Sequence, residues 1–158
     1  MNGWGIVTEG PEVVPPLDPG AGQSRHVENE ARILHFRRDL VGPGVHLAQV
    51  ALRRGESSLP HFHTTTRDTF YVMSGRLTVT VRVSSAGAKA YRYLSEARPE
   101  IEKHGTEQEI HKLRVLPGDL LIIEPNVVHC AANVDSEPCR FLCIEGIGTY
   151  DFIETEFR

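Results

Sequence analysis

The sequence predicts an all-β chain arranged as a sandwich or barrel, and three observations carry that expectation. Leu77-Thr-Val-Thr-Val-Arg-Val83 alternates apolar and polar residues, the pattern of a half-buried strand. Further short apolar runs are punctuated by turn residues at Ser74-Gly75, Pro117-Gly118-Asp119 and Pro125-Asn126. The chain shows no internal repeat and no coiled-coil pattern, so many short strands are left to make the core.

Taken in order, residues 1–24 are rich in glycine and proline (Gly10-Pro11, Pro15-Pro16, Pro19-Gly20) and read as an extended N-terminal arm. Residues 25–158 read as one domain. Ile33–Arg37 and Val45–Leu52 are expected strands, separated by Val41-Gly-Pro-Gly44. Thr69–Met73 and Leu77–Val83 follow as strands around Ser74-Gly75. Residues 88–112 are polar and are expected to form an insertion at the rim. It would carry one short helix, with Pro99 in the first turn, Glu100 and Glu102 early, Lys103 and His104 late, and Gly105 after its end. Leu113–Leu116, Leu120–Glu124, Val128–Asn133 and Arg140–Glu145 complete the strands.

The chain has 158 residues, enough to bury a core without staples. Its formal net charge of −4 argues against nucleic acid as the main partner. Pairs such as Arg37-Arg38 and Arg53-Arg54 are too short to make a basic patch. No apolar run is long enough to span a bilayer. The first residues lack a basic region followed by an apolar stretch, which predicts a cytoplasmic protein. The three cysteines, Cys130, Cys139 and Cys143, contain no CxxC pair and read as free thiols.

The chemistry concentrates in His61-Phe-His63. Side chains at i and i+2 of a strand share a face, so these imidazoles can converge on one point, and neutral imidazole is a good ligand for transition metals. A third histidine lies in Gly118-Asp-Leu-Leu-Ile-Ile-Glu-Pro-Asn-Val-Val-His129-Cys-Ala-Ala-Asn133, a strand, a tight turn and a second strand. The first stretch resembles the first motif of the cupin superfamily, with Gly55, His61, His63, Asp68 and Gly75 in register. The second resembles the second cupin motif, with Gly118, His129 and Asn133 in register. The resemblance implies a jelly-roll barrel, a double-stranded β-helix. It implies one divalent metal ion held by His61, His63, Asp68 and His129, zinc first, with Fe(II), Ni or Mn as alternatives.

Two departures bear on the site. Cupins usually carry glutamate where Asp68 stands, so Asp68 is a fourth ligand, an orienting partner of a histidine, or a catalytic base. Glu124 and Asn126 replace the usual proline and glycine of the second motif, and asparagine can take the left-handed conformation that glycine would supply. By the period of two, Asp68 brings Phe70 and Val72 inward, and His129 brings Ala131 and Asn133. Leu77, Val79 and Val81 add apolar wall. In Val45–Leu52 the phase is open: either His46 and Ala48 face inward with Val50 and Leu52, or Gln49 does. Cys130 should point away from the metal, and Cys139 and Cys143 read as small buried hydrophobes. His26, His35, His104 and His111 read as ordinary surface or partly buried histidines.

Three functions follow. The chain resembles small single-domain cupins that cyclise aromatic polyketides, which implies a metal-dependent aldol cyclisation and dehydration of a poly-β-keto intermediate. The alternatives are an Fe(II) dioxygenase of an aromatic or small organic substrate, and a non-catalytic ligand-binding cupin. Each implies a largely apolar or aromatic small molecule as partner. The resemblance also implies a homodimer, with the N-terminal arm available to reach across.

Overall fold

Alternating side chains need a covered face, and two sheets provide it by packing their apolar faces together. The computed structural model describes residues 5–6, 36–42, 45–84, 89–94, 100–104, 108–146, 149 and 151–157. Its strands are β1 (Gly5–Ile6), β2 (Phe36–Gly42), β3 (Val45–Leu52), β4 (His61–Phe62), β5 (Arg67–Ser74), β6 (Leu77–Ser84) and β7 (Tyr91–Leu94). They continue with β8 (Glu100–His104), β9 (Gln108–Val115), β10 (Leu120–Ile123), β11 (His129–Ala132), β12 (Cys139–Gly146) and β13 (Ile153–Glu154). A seven-stranded sheet runs β1-β2-β3-β12-β5-β10-β7 and faces a six-stranded sheet, β13-β4-β11-β6-β9-β8. This is the all-β jelly roll that the sequence predicts, and among the described residues there is no helix.

The core follows the alternation. Leu77, Val79 and Val81 of β6 are fully buried, as are Leu113 and Val115 of β9, Leu52 of β3 and Val72 of β5. Turn residues take the backbone forms their chemistry permits. Asn126 has φ 63°, the left-handed form expected of it. Gly75 has φ 74°, and a Cβ there would lie 2.4 Å from the Pro138 carbonyl oxygen, so both conformation and space require glycine.

Two expectations are corrected. The strand expected at Ile33–Arg37 is β2, Phe36–Gly42, which pairs along β3 from Phe36↔Ala51 to Gly42↔Val45 and so runs through Val41 and Gly42 of the supposed turn. The helix expected from Pro99 to His104 is strand β8, which pairs with β9 from Glu100↔Lys112 to His104↔Gln108. Five residues are too few to sustain a helix alone, whereas pairing satisfies their backbone groups at once. Within the segment 88–112 the described residues add β7 at the edge of one sheet and β8 at the edge of the other, so the insertion is made of strands. Of the N-terminal arm, Gly5 and Ile6 pair with Val41 and Leu40 of the same chain. The rest of residues 1–24, and the boundary at residue 25, lie outside the described residues.

Among the described residues no helix is long and apolar enough to cross a membrane. None of the three cysteines is in a disulfide.

Candidate metal centre

The register places complementary groups on the two sheets. In the seven-stranded sheet, Glu145 of β12 pairs with His46 of β3 on one side and Asp68 of β5 on the other. In the six-stranded sheet, His129 of β11 pairs with His61 of β4, and His63 follows one residue after β4. Carboxylates thus come from one wall and imidazoles from the other. His61, His63, Asp68 and His129 are all buried, and one ligand atom from each lies within 4.8 Å of the others. The structure brings together all four side chains that the motifs single out.

The orientation of the rings is informative. His61 Nδ1–H donates to the Leu59 carbonyl at 2.7 Å and His129 Nδ1–H to the Val127 carbonyl at 2.9 Å. His63 Nδ1–H donates to the Asp151 carbonyl. Each neutral ring then carries its lone pair on Nε2, turned inward. There the three nitrogens meet Asp68 Oδ2 at 2.9 Å (His129), 3.2 Å (His63) and 3.9 Å (His61). Lone pairs facing a carboxylate oxygen repel unless a proton or a cation lies between them. Asp68 Oδ1 is buried without a hydrogen-bond partner, a further open acceptor.

The protonation of the ion-free cluster reflects this crowding. Burial drives the His63 imidazole down, but the Asp68 carboxylate beside it, its hydrogen bond and the charge of Glu145 outweigh burial and raise it from 6.5 to about 9. Burial drives Asp68 up, and the three histidines outweigh it and hold the carboxyl well below the usual range. A divalent cation would replace that shared proton and use the open acceptor as well. Three imidazole nitrogens and one carboxylate oxygen are a donor set suited to Zn, Fe(II), Mn or Ni.

Beside the four lies a cavity of about 40 Å³. Its wall is mainly apolar: Ala48, Val50, Leu52, Phe70, Ala131 and Phe141, with Ser58, His61, Asp68, Cys143 and Glu145 as the polar lining. The open phase of β3 resolves toward His46: Ala48 and Val50 are buried and Gln49 is on the other face. His46 does not reach the four; its Nδ1 bonds Glu145 Oε2 at 2.5 Å. Asn133 faces inward, as alternation from His129 expects. It is fully buried but ties the surrounding loops together, donating to the Leu52 and Glu137 carbonyls at 3.0 and 2.8 Å, and it does not line the cavity. Cys139 and Cys143 are buried, as expected. His111 is buried more than expected, bonded to Tyr91 Oη at 2.7 Å and Glu109 at 3.0 Å. His26 and His35 lie outside the described residues, as does the side chain of His104.

Sequence reasoning missed Glu145, Asp151 and Phe152. Glu145 had a readable signal, because it continues the inward phase of Phe141 and Cys143. Asp151 and Phe152 had none, since they precede a strand of two residues.

A family model described as Cupin matches residues 38–146. No curated protein matches the sequence. Among solved structures, the fold is similar to Bacillus subtilis oxalate decarboxylase, with 17% identity and a TM-score of 0.53 over 75% of this chain and 28% of that one. It is similar to an oxalate oxidase at 20% identity and a TM-score of 0.51, over 70% of this chain and 46% of that one. It is also similar to Peruvianin-I, a cysteine peptidase from Thevetia peruviana latex, at 16% identity and a TM-score of 0.50, over 71% of this chain and 56% of that one. This chain therefore spans between about a quarter and just over half of the length of these structures. At such identities the likeness is one of fold, and with the family match it leads to one statement: the chain belongs to the cupin family.

Proposed function

We propose that this cupin is a metal-dependent enzyme that enolises a carbonyl compound and closes a ring by aldol condensation and dehydration, the chemistry of an aromatic polyketide cyclase. One observation carries the reading: a second buried carboxylate, Glu145, lies beside the candidate centre and is not among its four ligands. One ligand atom each of Asp68, Cys143 and Glu145 falls within 4.8 Å of the others. His61, His63, Asp68 and His129 would hold the ion, zinc in this reading, and the ion would supply Lewis acidity toward a carbonyl oxygen. Asp68 is then a ligand, and its carboxylate is committed.

Glu145 takes the α-proton, with His46 holding its other oxygen. Val50, Leu52, Phe70 and Phe141 exclude water and hold the enolisable end of the substrate so that the carbon meets its second carbonyl. Attack of that carbon on the second carbonyl closes the ring, the resulting alkoxide takes the proton back from Glu145, and loss of water then forms the carbon–carbon double bond. The cavity admits that end of the substrate, and the remainder lies outside it.

A second reading is favoured by the size of the cavity. About 40 Å³ suits dioxygen and a small substrate, as in an Fe(II) dioxygenase. The test is an assay of the zinc-loaded and iron-loaded protein with poly-β-keto substrates and with an oxygen electrode. Ring formation without oxygen uptake supports the cyclase. Oxygen uptake that requires iron supports the dioxygenase, and neither activity leaves the ligand-binding role.

We also propose a homodimer. Tyr71 and Leu94 are exposed and flank Leu120 in register on the outer face of the seven-stranded sheet, an apolar patch for a second copy to cover. Sedimentation at the mass of a dimer is the expected result, and a monomer mass would refute it.

A further inference from the structure

Two of the candidate ligands are oriented locally, by carbonyls two residues behind them. His63 is not: the carbonyl that receives its Nδ1–H belongs to Asp151, 88 residues away in sequence. Asp151 is itself clamped. Thr64 N–H donates to Oδ1 at 2.9 Å and Thr64 Oγ1–H donates to Oδ2 at 2.6 Å. The neighbouring Phe152 ring stacks on His61, with centroids 4.1 Å apart and planes at 22°. Ile153 and Glu154 pair with Phe62 and His61, and Thr155 N–H donates to the Pro60 carbonyl at 3.0 Å. Thr65 Oγ1–H donates to the Thr149 carbonyl at 2.9 Å. Between them, Thr149 and residues 151–155 touch every residue from Pro60 to Thr65, and both His61 and His63 lie in that run.

The attachment is mainly polar. Ile153 and Glu154 of β13 are exposed, so little apolar burial holds the segment down. Its position over the histidines depends on the backbone pairing, the Phe152 stack and the clamp between Asp151 and Thr64. A histidine whose second nitrogen has lost its acceptor is free to rotate and to change tautomer, and such partners are worth about 10- to 100-fold in metal affinity.

We infer that the C-terminal segment is a strap that sets the affinity and geometry of the metal centre, with Asp151 as its positioning residue. The strap stands on the metal centre alone and is independent of the cyclase reading.

The test is a Co²⁺ titration of the full chain, by chelator competition and by the visible absorption of the bound ion, with the unfolding temperature of each ion-free protein measured alongside. Asp151→Ala is expected to weaken Co²⁺ binding by about 10- to 100-fold and to alter the visible spectrum. Its ion-free unfolding temperature should stay within about 2 °C of the parent, since the clamp is at the surface. Asp151→Asn keeps an acceptor for one Thr64 donor and should recover part of the affinity. Thr64→Val removes one of the two clamps and should fall between the parent and Asp151→Ala. His129→Ala should lose Co²⁺ altogether. Parent-like affinity and spectrum in Asp151→Ala and Thr64→Val, with loss in His129→Ala, would overturn the strap and leave the centre standing. A large fall in ion-free stability with an unchanged spectrum would make the segment a structural brace and also overturn it. Parent-like binding by His129→Ala would overturn centre and strap together.

Discussion

The two walls of the barrel do different work. The six-stranded sheet and the turn after β4 present imidazoles whose outer nitrogens are already bonded to carbonyls, so each has one thing left to do, which is to donate a lone pair inward. The seven-stranded sheet presents two carboxylates side by side, Asp68, whose Oδ2 faces the three imidazoles, and Glu145, which bonds His46. The comparison teaches that holding an ion draws on both walls, three imidazoles from one and Asp68 from the other, whereas the proposed proton transfer rests on Glu145 alone, so the two roles should separate on mutation.

The largest effect should come from the imidazole wall. His129→Ala removes a ligand with 1% exposure and leaves Asp68 facing two histidines. Turnover and stoichiometric metal should both be lost, checked by steady-state assay and elemental analysis. Retained turnover would collapse the distinction between the walls.

Next is Glu145→Gln on the carboxylate wall. It keeps the shape, and an amide oxygen can still accept from His46, but it cannot take a proton. Turnover should fall by about 10²- to 10⁴-fold, while metal content stays at the parent level. Loss of metal in this variant would mean that Glu145 is a ligand.

Asp68 sharpens the comparison through pH. In the ion-free protein His63 is raised from 6.5 to about 9, so the stability from its pairing with Asp68 is fully present below about pH 6.5 and is lost as pH rises through about 9. Asp68 itself is held below its ordinary 3.8, so its contribution is present above that value and is lost as pH falls through its lower folded value. Urea unfolding of the ion-free protein should therefore show falling stability from pH 6.5 to 9. Asp68→Asn should flatten that slope, and so should saturating metal, which displaces the proton.

Further from both walls, Gly75→Ala forces a Cβ against the Pro138 carbonyl at positive φ. It should cost about 1–3 kcal/mol, seen as a lower unfolding temperature with metal binding intact. The smallest effect expected is at the thiols. Burial pushes Cys130 up to about 11 and Cys139 up to about 12, so both should resist alkylation at pH 8 until the protein is unfolded.

Which parts were legible in the sequence follows from how far each contact reaches along the chain. The alternation in β6, the turn at Gly75, the left-handed Asn126 and all four candidate ligands are written in two short local stretches. Period-two reasoning also placed Phe70, Val72 and Ala131 correctly on the inner face. It gives a face, however, and does not say which strands become neighbours. His46 meets Glu145 across 99 residues, and His63 meets Asp151 across 88, through a strand order that no local pattern encodes. β8 was misread because a proline, early acids and late bases resemble helix capping, while the partner that makes it a strand, β9, had been read as starting only at Leu113. Alternation also placed Asn133 inward, but it does not say that the buried amide bonds the Leu52 and Glu137 carbonyls.

The most direct test of the division between the walls is elemental analysis of three purified proteins: the parent, His63→Ala and Glu145→Gln. The expected result is about one divalent ion per chain in the parent and in Glu145→Gln, and none in His63→Ala. Metal retained in His63→Ala, or lost from Glu145→Gln, would contradict the assignment of ion binding to the imidazole wall with Asp68 and of proton transfer to Glu145.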